Sequence, residues 1–298
     1  MANDSQPFTD EELSAAAAAP MSDEILFHGL QTGTQALSEF GHLVMEPVFR
    51  SQLALTDREN AIGITFYRLL AAIHTLSDLR QPYHFQAISA QTRLVFELCV
   101  DIHLLAKKKI ANDIEKFHGF TRAARFSAAY KTVEFYKAHP DLEDPGDAEE
   151  RRALVETPGK RDEIETLCKR LWNSHKAPEH WSGLRWSEQL ELLEPEIREW
   201  YVQYSAFEAW LIHGGGAGVA GLETRAIRAI EVQCREKVKA LVPEAYRLVA
   251  VEMHMHKALP NFFDELDRVK NLVETYAVID AKLQSIGRPS KLVPKAAS

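Results

Sequence analysis

Between Ser22 and Ile286 the apolar residues of this chain recur at three- and four-residue intervals over almost every stretch. That interval is the repeat of one face of an α-helix. Alternating β-branched runs between turn residues, the mark of strands, are nearly absent. The pattern predicts an all-α fold: a multi-helix bundle with a long kinked C-terminal helix and a final antiparallel helix.

Helix boundaries follow from local chemistry. A first helix is predicted from about Asp23 to Glu46, with Pro47 ending it. Thr56-Asp-Arg-Glu59 has the spacing of a capping box and opens a second helix toward Arg80. A third covers about Tyr83 to Ile110. Asn112 is read as the N-cap of a fourth, which ends near His139-Pro140. The stretch 140–160 is acidic and holds Pro145, Gly146, Pro158 and Gly159, so it reads as a loop with a short helix over Asp147–Val155. A helix over Arg161–His175 and a tryptophan-rich connection follow. Pro195 suits the first turn of a helix ending at His213. A long helix over about Glu223 to Leu259 holds Pro243, which predicts its kink, and after Pro260 a last helix runs to about Ile286. One helical domain is expected over 22–286, between flexible tails at 1–21 and 287–298.

Composition narrows the setting. Apolar residues make up 46% of 298, enough for a sizeable core. The net charge of -8 argues against a surface that tracks nucleic acid or anionic lipid as a whole, and leaves room for a local basic groove. Three widely spaced cysteines with no CxxC pair suit a reducing compartment. No stretch has the length of a membrane span, and the acidic start lacks a signal-peptide pattern, so a cytoplasmic location with no membrane partner is expected.

The third predicted helix is apolar nearly all round. Ser89, Arg93, Glu97 and Asp101 recur every four residues and share its one narrow polar face. Such a stripe is either a solvated face with i,i+4 ion pairs or a bonded network at a site. In WYVQYSAFEAWLIHGGGAG, Ile197, Trp200, Tyr201, Tyr204, Phe207 and Leu211 build an apolar ridge that contains Glu208, a carboxylate in need of a cation such as Arg93. His213 ends that helix against a run in which five of the chain's fourteen glycines lie between Gly214 and Gly221. One glycine suffices for a C-cap, so the surplus points to close backbone approach, a hinge or a ligand loop.

Other chemistry is thinner. Glu115-x-x-His118 lacks the second copy that a helical di-metal site needs, and Glu252 with His256 has the wrong step, so no metal set and no cofactor are expected. No GxSxG occurs. Arg170-x4-His175 has the spacing of a metal-independent helical ribonuclease motif, a spacing that also arises by chance. From Lys107 to Lys137 eight basic residues, Lys108 among them, face three acids, an arc that could follow phosphates or pair with the acidic loop.

Arg93-x-x-x-Glu97 on an apolar helix, Trp181-x-Gly183, and a Tyr-rich helix ending in His213-Gly214 together resemble an uncharacterised family of bacterial all-helical proteins, known as a domain of unknown function. The resemblance covers about 62–216. Members tend to carry Ser four residues before the His, where this chain has Ala209. That family is in turn similar to the HEPN helical domains of bacterial defence and toxin systems. The resemblance implies RNA as the partner and metal-independent RNA cleavage as the activity. Arg93 would contact phosphate, Glu97 would orient it, and His213 would transfer protons. Tyr204, Glu208, Trp181 and Lys108 are the substrate-binding candidates. Two other classes stay open: a non-enzymatic interaction protein with a protein partner or a second copy of itself on the Glu223–Leu259 helix, and a helical-bundle metalloenzyme.

Overall fold

The structure is a computed structural model that describes residues 7–51, 54–81, 84–144, 147–195, 197–199 and 224–292. It is all-α, with no strand among the described residues. The chain gathers into two compact units, residues 1–106 with 193–298 and residues 107–192. Helical period alone marks no break between them, because both are built of amphipathic helices.

Unit 1 opens with α1 (Asp10–Ala18), α2 (Asp23–Phe40), a π turn over Gly41–Met45, α3 (Glu46–Arg50), α4 (Asp57–Asp78) and α5 (Phe85–Ala106). Unit 2 holds α6 (Asp113–Ala138), α7 (Ala148–Glu156), α8 (Lys160–Trp172) and α9 (Trp186–Leu190). Unit 1 resumes with α10 (Thr224–Glu252), α11 (Met255–Ala258), α12 (Phe262–Asn271), a second π turn over Leu272–Tyr276 and α13 (Ala277–Ser285).

The core of unit 1 lies where α10 packs on α5 and α2 while α4 packs on the same two helices. Ile62, Phe66, Leu69 and Ile73 of α4, Val95, Leu98 and Ile102 of α5, and Val238, Val242 and Val249 of α10 are all sealed from water. Each such side chain contributes roughly 1.5–3 kcal/mol of burial. α13 packs along the outer side of α2, and α1 packs on α13. Gly29 permits that approach: a Cβ there would stand 2.8 Å from the Cα of Val278.

Three expectations are corrected. Pro47 does not end the first helix. The helix passes through a π turn, and the proline falls in the first turn of α3, where a missing N–H costs little. Gly41 in that turn lies against Tyr246, whose hydroxyl donates to the Leu37 carbonyl at 2.9 Å. The stretch read as an N-terminal tail contains α1, capped by Thr9 and Glu12 in a complete capping box. Phe8, just before α1, is buried with its ring edge-on to Tyr276 at 5.9 Å, and Ala16 of α1 is buried in the same cluster with Leu283. The start of the expected C-terminal tail is likewise held. Ser290 Oγ donates to Asp280 Oδ2 at 2.6 Å and the Lys291 N–H to Asp280 Oδ1 at 2.8 Å.

Unit 2 is smaller. α7 and α8 pack on α6 around Ala123, Phe126, Ile164, Leu167, Cys168 and Leu171. The predicted short helix in the acidic loop is α7.

Candidate functional site: two Arg–Glu faces of unit 1

The polar stripe of α5 is not uniform. Its ends, Ser89 and Asp101, are buried. Its middle is wet: Arg93 Nε donates to Glu97 Oε1 at 2.9 Å, with the two side chains 45% and 40% exposed. The carboxylate accepts this hydrogen bond from a guanidinium that stays open to solvent. A guanidinium is a good binding group for phosphate. The remaining candidates of that reading, His213, Tyr204 and Glu208, lie outside the described residues, and so does the convergence expected from the sequence.

Sequence reasoning missed a second polar face, on α10. Arg228, Glu231 and Arg235 stand at i, i+3 and i+7, one stripe that packs on α2. All three are buried. Arg228 Nη1 donates to Glu231 Oε2 at 2.5 Å, and its Nε to Glu24 Oε2 at 2.8 Å. The ring of Phe27 lies under both guanidinium groups, at 3.7 Å from that of Arg228 and 5.0 Å from that of Arg235.

The reason for burying Arg235 is the C-terminus of α4. The last carbonyls of a helix have no partner within it, and when they are buried something must supply one. Arg235 Nη2 donates to Leu76 O at 3.2 Å and to Leu79 O, while Gln31 Nε2 from α2 donates to Ser77 O. A cation there also suits the negative end of the helix dipole. Arg58 Nη1 plays a similar part for Leu105 O at the end of α5. Glu231 balances this buried charge. Loss of hydration raises its pKa from 4.5 to about 7, against the opposing pull of Arg228 and Arg235. Burial lowers that of Arg235 to about 10, which leaves it a cation at neutral pH.

The other predicted residues belong to unit 2. Trp181 is buried, edge-on to Phe117 at 5.9 Å. Its carbonyl accepts from Trp172 Nε1 at 2.9 Å, and Gly183, at φ +76°, lies against the Trp172 ring. Trp181 and Gly183 thus form a packing corner around the Trp172 indole. The Arg170-x4-His175 pair is divided: Arg170 meets Glu115 at 2.6 Å, while His175 faces a groove between α6 and α8.

Three of the eight cations of the basic arc are neutralised among the described residues. Arg122 pairs with Glu163, Arg125 with Glu150, and Lys137 with Glu134 and Glu156. Lys107, Lys108 and Lys109 stay exposed in the turn before α6, with Lys108 in the left-handed region at φ 53°. None of these three, nor Lys116 one turn into α6, has an ion pair among the described residues.

Among the described residues no group of three or more His, Cys, Asp or Glu is placed to hold a metal. Glu115 is taken by Arg170, and His254 at φ 52° interrupts the helix between Glu252 and His256. No described helix is long and apolar enough to cross a membrane. Comparison of the chain with protein-family models, with curated proteins and with solved structures found no match in any of the three.

Proposed function

We propose that this protein binds RNA through the lysine turn before α6, and that Arg93, Glu97 and His213 are the reactive groups of a metal-independent, HEPN-like ribonuclease of the defence or toxin type. The observation that carries the reading is the cluster of Lys107, Lys108, Lys109 and Lys116, left without carboxylate partners among the described residues while Arg122, Arg125 and Lys137 further along α6 are neutralised. Unneutralised lysines exchange counterions for phosphates, the main source of affinity for any nucleic acid. The Arg93–Glu97 pair supports the second half, since its half-exposed guanidinium is accessible to a phosphate and bonded to the Glu97 carboxylate through Nε.

The test has two parts. Affinity for a labelled single-stranded RNA is measured against salt for the wild type and for Lys107→Ala/Lys108→Ala/Lys109→Ala. Loss of three phosphate contacts lowers the slope of log K against log salt by about 2. An unchanged slope removes the lysine turn from the reading. Cleavage of the same RNA in EDTA is then compared with His213→Ala. Removal of an acid–base group lowers the rate by about 100-fold or more. Equal rates dismiss His213.

A further inference from the structure

Unit 2 contains a groove of about 430 Å³ between α6, α8 and residues 175–177. That is a sufficient volume for a small ligand, by the range of roughly 300–1,000 Å³ that such pockets span. Its floor is apolar. Ala123, Phe126, Ile164 and Cys168 are buried beneath it, and burial pushes the Cys168 thiol up, so the floor offers packing rather than a nucleophile.

One wall is a stack of flat groups. The rings of Phe126 and Tyr130 are 23° from parallel with centroids 6.3 Å apart, and the Arg161 guanidinium lies over Tyr130 at 5.5 Å. A flat ligand keeps contact along such a wall where a branched one does not. The rim is cationic. Lys131 and Lys176 are exposed, border the groove and have no ion pair among the described residues, and His175 stands between α8 and Lys176. The one carboxylate on the groove, Glu165, is already held by Arg161 Nε at 3.0 Å.

A flat apolar floor and wall beneath an unneutralised basic rim call for a flat ring that carries an anion. We propose that this groove binds a nucleoside monophosphate unit, its base against the Phe126–Tyr130 wall and its phosphate between Lys131 and Lys176. Base–aromatic contact with a cation at the phosphate is the combination by which single-stranded nucleic acids are held. The site is separate from the Lys107–Lys109 turn and stands whether or not that turn binds RNA.

Binding of AMP and of adenosine to the full chain, followed by calorimetry, tests it. AMP is expected to bind saturably and at least tenfold more tightly than adenosine. Lys131→Glu/Lys176→Glu, two exposed positions, is expected to weaken AMP at least tenfold and to leave adenosine unchanged. Ala123→Leu, which fills the floor, is expected to weaken both. Absence of saturable AMP binding, or AMP binding unaltered by the double lysine variant, overturns the proposal. Competition between AMP and a 5′-phosphorylated oligoribonucleotide identifies the source. Stronger competition by either one, lost in the double lysine variant, upholds the site as that of a free nucleotide or of an RNA end. The Lys107–Lys109 variant is expected to bind AMP as the wild type does, so failure of the RNA reading and failure of this one are told apart.

Discussion

On α5, Arg93 meets Glu97 at 2.9 Å with both side chains close to half exposed; on the neighbouring α10, Arg228 meets Glu231 at 2.5 Å with side chains 9% and 0% exposed. The local chemistry is the same, an arginine and a glutamate about one helical turn apart. What differs is the surroundings. α2 lies over the α10 stripe and brings its own ladder of Glu24, Phe27, Gln31 and Thr34, so those ions sit inside a bonded network. A pair in water contributes little because hydration competes with it. A buried pair has lost that hydration, and each ion depends on the partners that replace it. Spacing along a helix therefore makes the pair, and the covering helix decides whether it matters to stability.

Removal of one buried cation is the strongest test of that difference. Arg235→Ala strips Leu76 O and Leu79 O of a donor, takes a cation from beside Glu231 and exposes the end of α4 to its own unmet carbonyls. The expected loss is about 3–5 kcal/mol of unfolding free energy, read from the urea midpoint at pH 7. A loss below about 1 kcal/mol would place Arg235 in the same class as a surface arginine and erase the contrast.

Acidity gives the next largest effect. Glu231 titrates at about 7 when folded, against an ordinary value of 4.5. The folded state thus holds this proton more tightly than the unfolded state does. Its contribution to stability is fully present below pH 4.5 and declines as the pH rises toward 7. Glu231→Gln cannot titrate and is expected to lack that decline. The wild type should lose on the order of 3 kcal/mol relative to the variant between pH 4.5 and 7.5. Parallel curves for the two proteins would mean that Glu231 stays ionised throughout, and the buried pair would then be electrostatically no different from the wet one.

The two faces were unequally legible in the sequence. Arg93 and Glu97 stand out because Leu94, Val95 and Phe96 lie between them and Leu98, Cys99 and Val100 follow, and that contrast is local. Arg235 caps carbonyls 156 and 159 residues away, and Gln31 caps one 46 residues away. Nothing in the neighbourhood of Arg228, Glu231 and Arg235 says which helix end they will meet. Local signals carried most of the fold: the Thr56–Glu59 capping box, the short helix α7 and the long α10 through Pro243 all follow from them. Thr9-Asp-Glu-Glu12 carries the same box signal, which the tail reading passed over. The packing of Trp181 and Gly183 on the indole of Trp172 was not legible, because that partner is fixed by tertiary structure.

The smallest stability effect is expected at the wet pair, and it is the most informative for function. A double-mutant cycle with Arg93→Ala and Glu97→Ala should return a coupling of about 0.3–0.5 kcal/mol that shrinks as salt is added, since both charges are screened by solvent. A coupling above about 2 kcal/mol would mean that the pair is part of a closed network and that its half exposure misrepresents its environment. The same Arg93→Ala protein should then be compared with the wild type in the RNA cleavage assay. If the arginine serves phosphate, its removal costs about 100-fold or more in rate while the urea midpoint hardly moves. A variant with its stability and its rate both unaltered would return Arg93 and Glu97 to the role of a solvated face. The α10 stripe predicts the reverse signature, a large loss of stability with no separate change in rate per folded molecule, because Arg228, Glu231 and Arg235 are committed to helix ends and to one another.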